Sequence, residues 1–274
     1  MKKIVITVIL FAAMSSLISA QSVHEFSVYG GGGLSALRYQ PSQGNRNGGA
    51  GGEFGVGYTL LLDETEQWGI YTGLGLGLYN ARGIIDNGKT VTKNLKDDEN
   101  DKFDLHTKLS DYKETQRTMF LNIPIMGQYQ VEPFYFMAGV KIGIPLNGKY
   151  TSKDATLTNE AYYPDYDVWL DVQTFKGYGK FRNRDSNGGI DLGVTVMLAL
   201  EAGMKWNIGD KLLLYTGAYF DYGLNNSSKT SQQPFVNYNK NHPSDFTTNS
   251  VLSTFTEKVN IMAIGVKARL AMNL

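Results

Sequence analysis

GIDLGVTVMLALEAGMKW, residues 189–206, decides the fold. Every even position from Ile190 through Leu192, Val194, Val196, Leu198, Leu200, Ala202 and Met204 to Trp206 is apolar. The odd positions carry Asp191, Gly193, Thr195, Met197, Ala199, Glu201, Gly203 and Lys205. Side chains alternate across a strand, so the stretch has one continuous apolar face and one face that mixes charges with small residues. That combination predicts a barrel strand whose outside touches lipid.

Seven further stretches have the same character, giving strands near 25–36, 50–60, 68–80, 116–129, 134–146, 211–224 and 257–273 beside that at 189–206. Each reaches the roughly 9 to 11 residues that a tilted membrane strand needs. The connections alternate in length. Long polar ones at 37–49, 81–115, 147–188 and 225–256 are interleaved with short ones at 61–67, Gln130–Pro133 and Asn207–Asp210. The expected fold is therefore all-β, an eight-stranded antiparallel up-and-down transmembrane β-barrel with short periplasmic turns and long extracellular loops. A secreted soluble barrel shows the same alternation turned inside out. The second face separates the two: Gly69, Tyr71, Gly73, Gly75, Gly77 and Tyr79 suit a tight lumen better than a wet exterior.

Tyr58, Trp68, Tyr129, Phe134 and Trp206 flank the short turns on the apolar faces of their strands, and are expected to form an aromatic girdle at the headgroup level. Ahead of the barrel, Lys2 and Lys3 precede an apolar run from Ile4 to Ile18 closed by Ser19 and Ala20, the pattern of a secretory signal peptide. The expected organisation is a signal peptide at 1–20 and one barrel domain at 21–274. The chain has no cysteine, which removes disulfides and thiolate metal sites, and its 26 basic residues balance 26 acidic ones. No basic stripe invites nucleic acid.

Alternation turns Glu53, Lys141, Asp191, Glu201, Lys205, Asp221, Lys267 and Arg269 inward, four of each sign. An eight-stranded barrel is only wide enough for its own side chains, so these charges must pair, and a plugged lumen follows. With Phe134 level with Trp206, Lys141 would lie diagonal to Glu201. Asn122, Tyr71, Tyr79, Tyr215 and Tyr219 would join the network through hydrogen bonds.

Motifs with chemistry are few. Gly30 to Gly33 and the Gly73, Gly75, Gly77 series open no helix after a strand, which phosphate binding requires. Asp165, Asp167 and Asp171 have calcium-loop spacing, but Leu170 and Lys176 occupy the glycine and glutamate positions. A looser divalent-ion role stays open for this stretch and for Asp97, Asp98, Glu99 and Asp101. The three histidines, His24, His106 and His242, all fall outside the expected strands, and His242 near Asp245 is poorly placed for a dyad. No catalytic residue, cofactor or metal is expected. Tyr162, Tyr163, Tyr166 and Trp169 in the third long connection offer a binding surface for a protein or glycan partner. The second long connection, with 16 charged residues from Arg82 to Arg117, has a composition that favours solvation over a stable fold.

FLNIPIMGQY at Phe120–Tyr129, LYTGAYFDYGLN at Leu214–Asn225 and EAGMKW at Glu201–Trp206 resemble outer-membrane β-barrel proteins of Bacteroidota. The resemblance implies an eight-stranded barrel of the OmpA and OmpX type in the cell outer membrane, in a group of which one branch serves type IX secretion. Many relatives append a peptidoglycan-binding domain, whereas this sequence stops at Leu274 after its last expected strand. The functions so implied are envelope structure or partner binding, with a narrow transport pore or secretion-accessory barrel as the alternative and an enzyme behind both. Lipid is the one partner expected outright; the oligomeric state stays open.

Overall fold

The computed structural model describes residues 23–62, 65–229 and 233–274. The expected signal peptide lies outside them. Eight strands close a ring: β1 (His24–Tyr39), β2 (Asn45–Leu61), β3 (Trp68–Lys96), β4 (Lys102–Val131), β5 (Phe134–Tyr163), β8 (Thr195–Asn207), β9 (Leu212–Gly223) and β12 (Val259–Asn273). Every neighbouring pair is antiparallel, β5 pairs with β8, and β12 returns to β1. No helix among the described residues is long and apolar enough to cross a membrane, and the strands cross instead.

The apolar faces point outward. Phe54, Val56, Leu74, Ile125, Phe136, Leu198, Leu200 and Val266 are all exposed on the outside of the ring. Their neighbours in sequence face the lumen, where small residues leave room for large ones. A Cβ on Gly75 would lie 2.0 Å from the Tyr29 hydroxyl, and one on Gly77 2.4 Å from Asn122 Nδ2. Glycine at these two positions makes space for rings and amides that fill a narrow lumen.

The second and third long connections are not loops. β3 and β4 remain paired from the barrel to Leu95 and Phe103, and β5 runs to Tyr163, so a sheet stands well clear of the membrane. It is widened by β6 (Val168–Leu170) and β7 (Gly179–Gly189), both paired with β5. The charged 82–117 segment therefore folds as a regular hairpin. Its charges alternate with Ile85, Phe103, Leu105, Leu109 and Tyr112, all fully buried on the inner face. Against that face packs the last long connection, with the short pair β10 (Val236–Asn237) and β11 (Thr247–Thr248) and a helix at Val251–Thr254. Phe235, Val236, Phe246, Val251, Leu252 and Phe255 form a cap core over the barrel mouth. Burial of this size stabilises by roughly 1.5–3 kcal/mol per large side chain, which the exposed hairpin alone would not gain.

The deciding stretch is itself corrected at one end. Strand β8 begins at Thr195, not at 189, and Ile190 and Leu192 turn inward to the cap core instead of facing lipid. Asp191 between them is exposed at the rim and does not point into the lumen. The register between β5 and β8 also differs from expectation: Phe134 stands opposite Met204, and Lys141 opposite Met197.

Candidate functional site

The lumen holds a connected chain of charges. Glu201 Oε2 lies 2.8 Å from Lys267 Nζ, which lies 2.7 Å from Glu53 Oε1. Glu53 Oε2 is 2.9 Å from Lys141 Nζ, and Lys141 Nζ is 2.6 Å from Asp221 Oδ2. Acid and base alternate along the whole series, so each interior charge has opposite charges on both sides. The expected Lys141–Glu201 contact is not made. With Lys141 opposite Met197, Glu201 sits four positions further down β8, and the two groups find other partners.

Arg269, 1% exposed, lies next to this chain in a cage of Tyr215, Tyr71 and Tyr135, its guanidinium carbon 4.2, 4.8 and 5.6 Å from their ring centres. Guanidinium over aromatic faces gains cation–π attraction that grows when water is excluded. Arg269 Nη2 also donates to Gln128 Oε1 at 3.2 Å, and the Tyr135 hydroxyl donates to Glu201 Oε1 at 2.9 Å. Tyr79 and Asn122 bond each other at 3.0 Å, while Tyr219 faces both ammonium groups with its ring. Lys205 is apart from these groups: its nearest acids, Glu66 and Glu132, stand 3.6 and 3.9 Å away beside the short turns.

Glu25 is the lumen acid that the sequence reasoning missed. It is fully buried and accepts from the Tyr215 hydroxyl at 2.9 Å. Its parity with Ser27 and Tyr29 on β1 carries the signal. With Glu25 in place of Asp191, Glu25, Glu53, Glu201 and Asp221 balance Lys141, Lys205, Lys267 and Arg269, and the lumen remains neutral.

The girdle residues occupy the end of the ring that carries the short turns. Trp68 and Tyr129 are cross-strand partners with ring centres 4.5 Å apart. Tyr58 contacts Phe26 at 5.1 Å, and Trp206 Nε1 donates to Thr216 Oγ1 at 2.9 Å. Phe134 is exposed on the same outer face.

At the far end, the aromatic cluster divides. Tyr163 is buried and does not belong to a binding surface: its hydroxyl donates to Asp97 Oδ2 at 2.9 Å and lies 2.8 Å from the Tyr178 hydroxyl. Burial pushes the Tyr163 phenol well above its ordinary value, with the Asp97 hydrogen bond adding to the rise. Asp97 Oδ1 accepts from the Glu99 and Asp101 backbone amides, so this acid organises a turn instead of offering its oxygens to an ion. Trp169 and Tyr166 remain exposed. The Trp169 ring lies 4.8 Å from both His106 and Tyr162, across paired strands. Tyr162 donates to Asp167 and Tyr166 to Asp101, which fixes the polar tips of both rings.

Glu114 organises the cap. Its carboxylate accepts from Ser250 Oγ, the Val251 amide, Gln116 Nε2 and the Tyr112 hydroxyl, and so ties the last long connection to β4. Burial raises its pKa above the ordinary carboxylate value, against the opposing pull of these donors. In the last long connection, Asp245 N–H donates to the His242 carbonyl within a tight turn.

A family model described as outer membrane protein beta-barrel domain matches residues 19–229. No curated protein sequence matches the chain. Among solved structures, a major outer membrane protein from Thermus thermophilus is 13% identical over 92% of this chain and 99% of its own, with a TM-score of 0.33. The attachment invasion locus protein Ail of Yersinia pestis, in complex with the heparin analogue sucrose octasulfate, is 9% identical over 91% and 99%, at 0.30. The outer membrane protease OmpT from Escherichia coli is 9% identical over 92% and 96%, at 0.32.

Proposed function

The chain belongs to the outer-membrane β-barrel family and resides in the outer membrane, and on that premise we propose that it is a non-enzymatic, non-conducting scaffold that holds a binding platform outside the cell. The strand-borne stretches FLNIPIMGQY and LYTGAYFDYGLN support a place in the Bacteroidota branch. The barrel supplies an anchor plugged by its own ion pairs. The cap braces the extended sheet, and the far end of that sheet carries the platform.

One observation carries this proposal: Trp169, 53% exposed, is held between His106 and Tyr162 on hydrogen-bonded strands. Rigid exposed aromatics provide contact area at little entropic cost, which suits a protein or glycan partner. The test is a glycan array together with photo-crosslinking in intact cells from a probe at position 169, with position 258, exposed beside the start of β12, as control. Capture at 169 that Tyr166→Ala weakens supports the platform. Capture equal at both positions, or none in either assay, overturns it. The competing function, a narrow pore, requires water through the lumen. Conductance in planar bilayers that responds to Glu201→Ala would favour it and contradict the plug.

A further inference from the structure

We propose that the outer face of β3, β4 and β5, just above the lipid-facing belt, is a docking site for a phosphate-bearing lipid headgroup. The evidence is a change of chemistry within one register step across three strands. Leu78 pairs with Met119, the last apolar row; the next row is Asn80, Arg117 and Lys149, directly opposite one another. The row above is Arg82, Thr115 and Thr151, and beyond it Lys113 pairs with Ile84. Rows on one face are separated by two residues, about 6.6 Å, so the cations begin one row above Leu78 and Met119.

A register shift makes the cluster. Phe120 pairs with Pro145 but Met119 with Asn147, so Leu146 is an extra residue in β5. Below it even positions such as Ile142 and Ile144 face lipid; above it Lys149, Thr151 and Lys153 are the exposed positions. Without that bulge the two lysines would turn into the cap core. Arg82, Lys113, Arg117, Lys149 and Lys153 are all exposed, and among the described residues none of the five forms an ion pair with a carboxylate. They line a concavity of about 1250 Å³ whose acids are Asp154, at its upper edge, and Glu114, whose buried carboxylate is turned to Ser250 and Val251 of the cap. The chain as a whole has no net charge, so general attraction to anionic surfaces does not account for a focused patch.

The occupant follows from the neighbourhood. A lipid with acyl chains against Leu76, Leu78, Leu121 and Ile144 brings its headgroup to the Arg117–Lys149 row, where arginine can hold a phosphate by two hydrogen bonds. Threonine hydroxyls between the cations add donors of matching reach. This site is independent of any partner at Trp169 and stands or fails separately from the platform.

The test uses the full chain, delipidated in detergent, titrated with mixed micelles of dioleoyl phosphatidic acid. Parallel arms use phosphatidylcholine micelles and inorganic phosphate. Saturable binding of the phosphatidic acid micelles is expected. Arg117→Gln with Lys149→Gln should weaken it about 25-fold, each basic residue near an anionic surface contributing roughly fivefold. Lys93→Gln with Lys102→Gln, the same charge loss at the distal end of the hairpin, should leave it within about twofold. Equal binding of phosphatidylcholine, saturation by inorganic phosphate, or equal losses in both variants overturns the proposal.

Discussion

Lys141 Nζ on β5 lies 2.6 Å from Asp221 Oδ2 on β9, reaching over the intervening strand β8. The same ammonium group holds Glu53 on β2 at 2.9 Å, so one lysine ties three strands across the lumen. Removing it by Lys141→Met leaves two buried carboxylates with less compensation. A loss of roughly 3–5 kcal/mol is expected, against a clearly smaller one for Lys205→Met at the short-turn end, whose acids are more exposed and stand 3.6 and 3.9 Å away. Denaturant unfolding in detergent micelles measures both; equal midpoints would remove the central place given to Lys141.

Leu200 faces outward midway along β8, in the apolar row. Leu200→Arg places a charge in hydrocarbon and should cost roughly 2–4 kcal/mol. The folded fraction in lipid vesicles measures this, with Lys93→Glu on the distal hairpin as a silent control. A tolerated arginine would mean water on that face.

Which faces touch lipid was legible because period-two alternation is a property of neighbours: Val194 to Trp206 needs no knowledge of the rest of the chain. Cross-strand relations were not. Lys141 missed Glu201 because the stagger between β5 and β8 depends on ring closure, and no residue in either strand records it. The hairpin at 82–117 was hidden by its composition. A sheet standing in water needs only one apolar face, and Ile85, Leu105 and Leu109 are spaced among charges that suggest solvation. Tyr162 and Tyr163 look alike in composition, but adjacent residues on a strand face opposite ways, and only pairing of the segment as a strand tells the buried ring from the surface one.

Glu114 should make stability depend on pH. Its folded pKa is raised above the ordinary 4.5, so the folded state binds this proton more tightly than the unfolded chain does. The contribution is full below 4.5, falls as pH rises toward the raised folded value, and is absent above it. Unfolding midpoints followed from pH 4 upward should decline over that window in the wild type and change less in Glu114→Gln. Parallel curves would assign the decline to other groups.

Tyr163→Phe removes the phenol that satisfies Asp97 Oδ2, a buried acid, whereas Tyr162→Phe removes a bond to exposed Asp167. Losing a donor to a buried acceptor should cost roughly 1–3 kcal/mol, and losing one at the surface a few tenths at most. Local hydrogen exchange at the 97–101 turn distinguishes the two, and equal protection in both variants would contradict the division of the cluster.

The chain has three tryptophans, which sample the two ends of the molecule. Trp68 and Trp206 flank the short turns on the outer face, and Trp169 lies at the far end of the extended sheet. Single-tryptophan variants in bilayers of lipid brominated on its acyl chains test directly whether hydrocarbon surrounds the ring. Quenching of Trp68 and Trp206 with Trp169 unaffected is the predicted result. Quenching of Trp169, or none at Trp68 and Trp206, would contradict it.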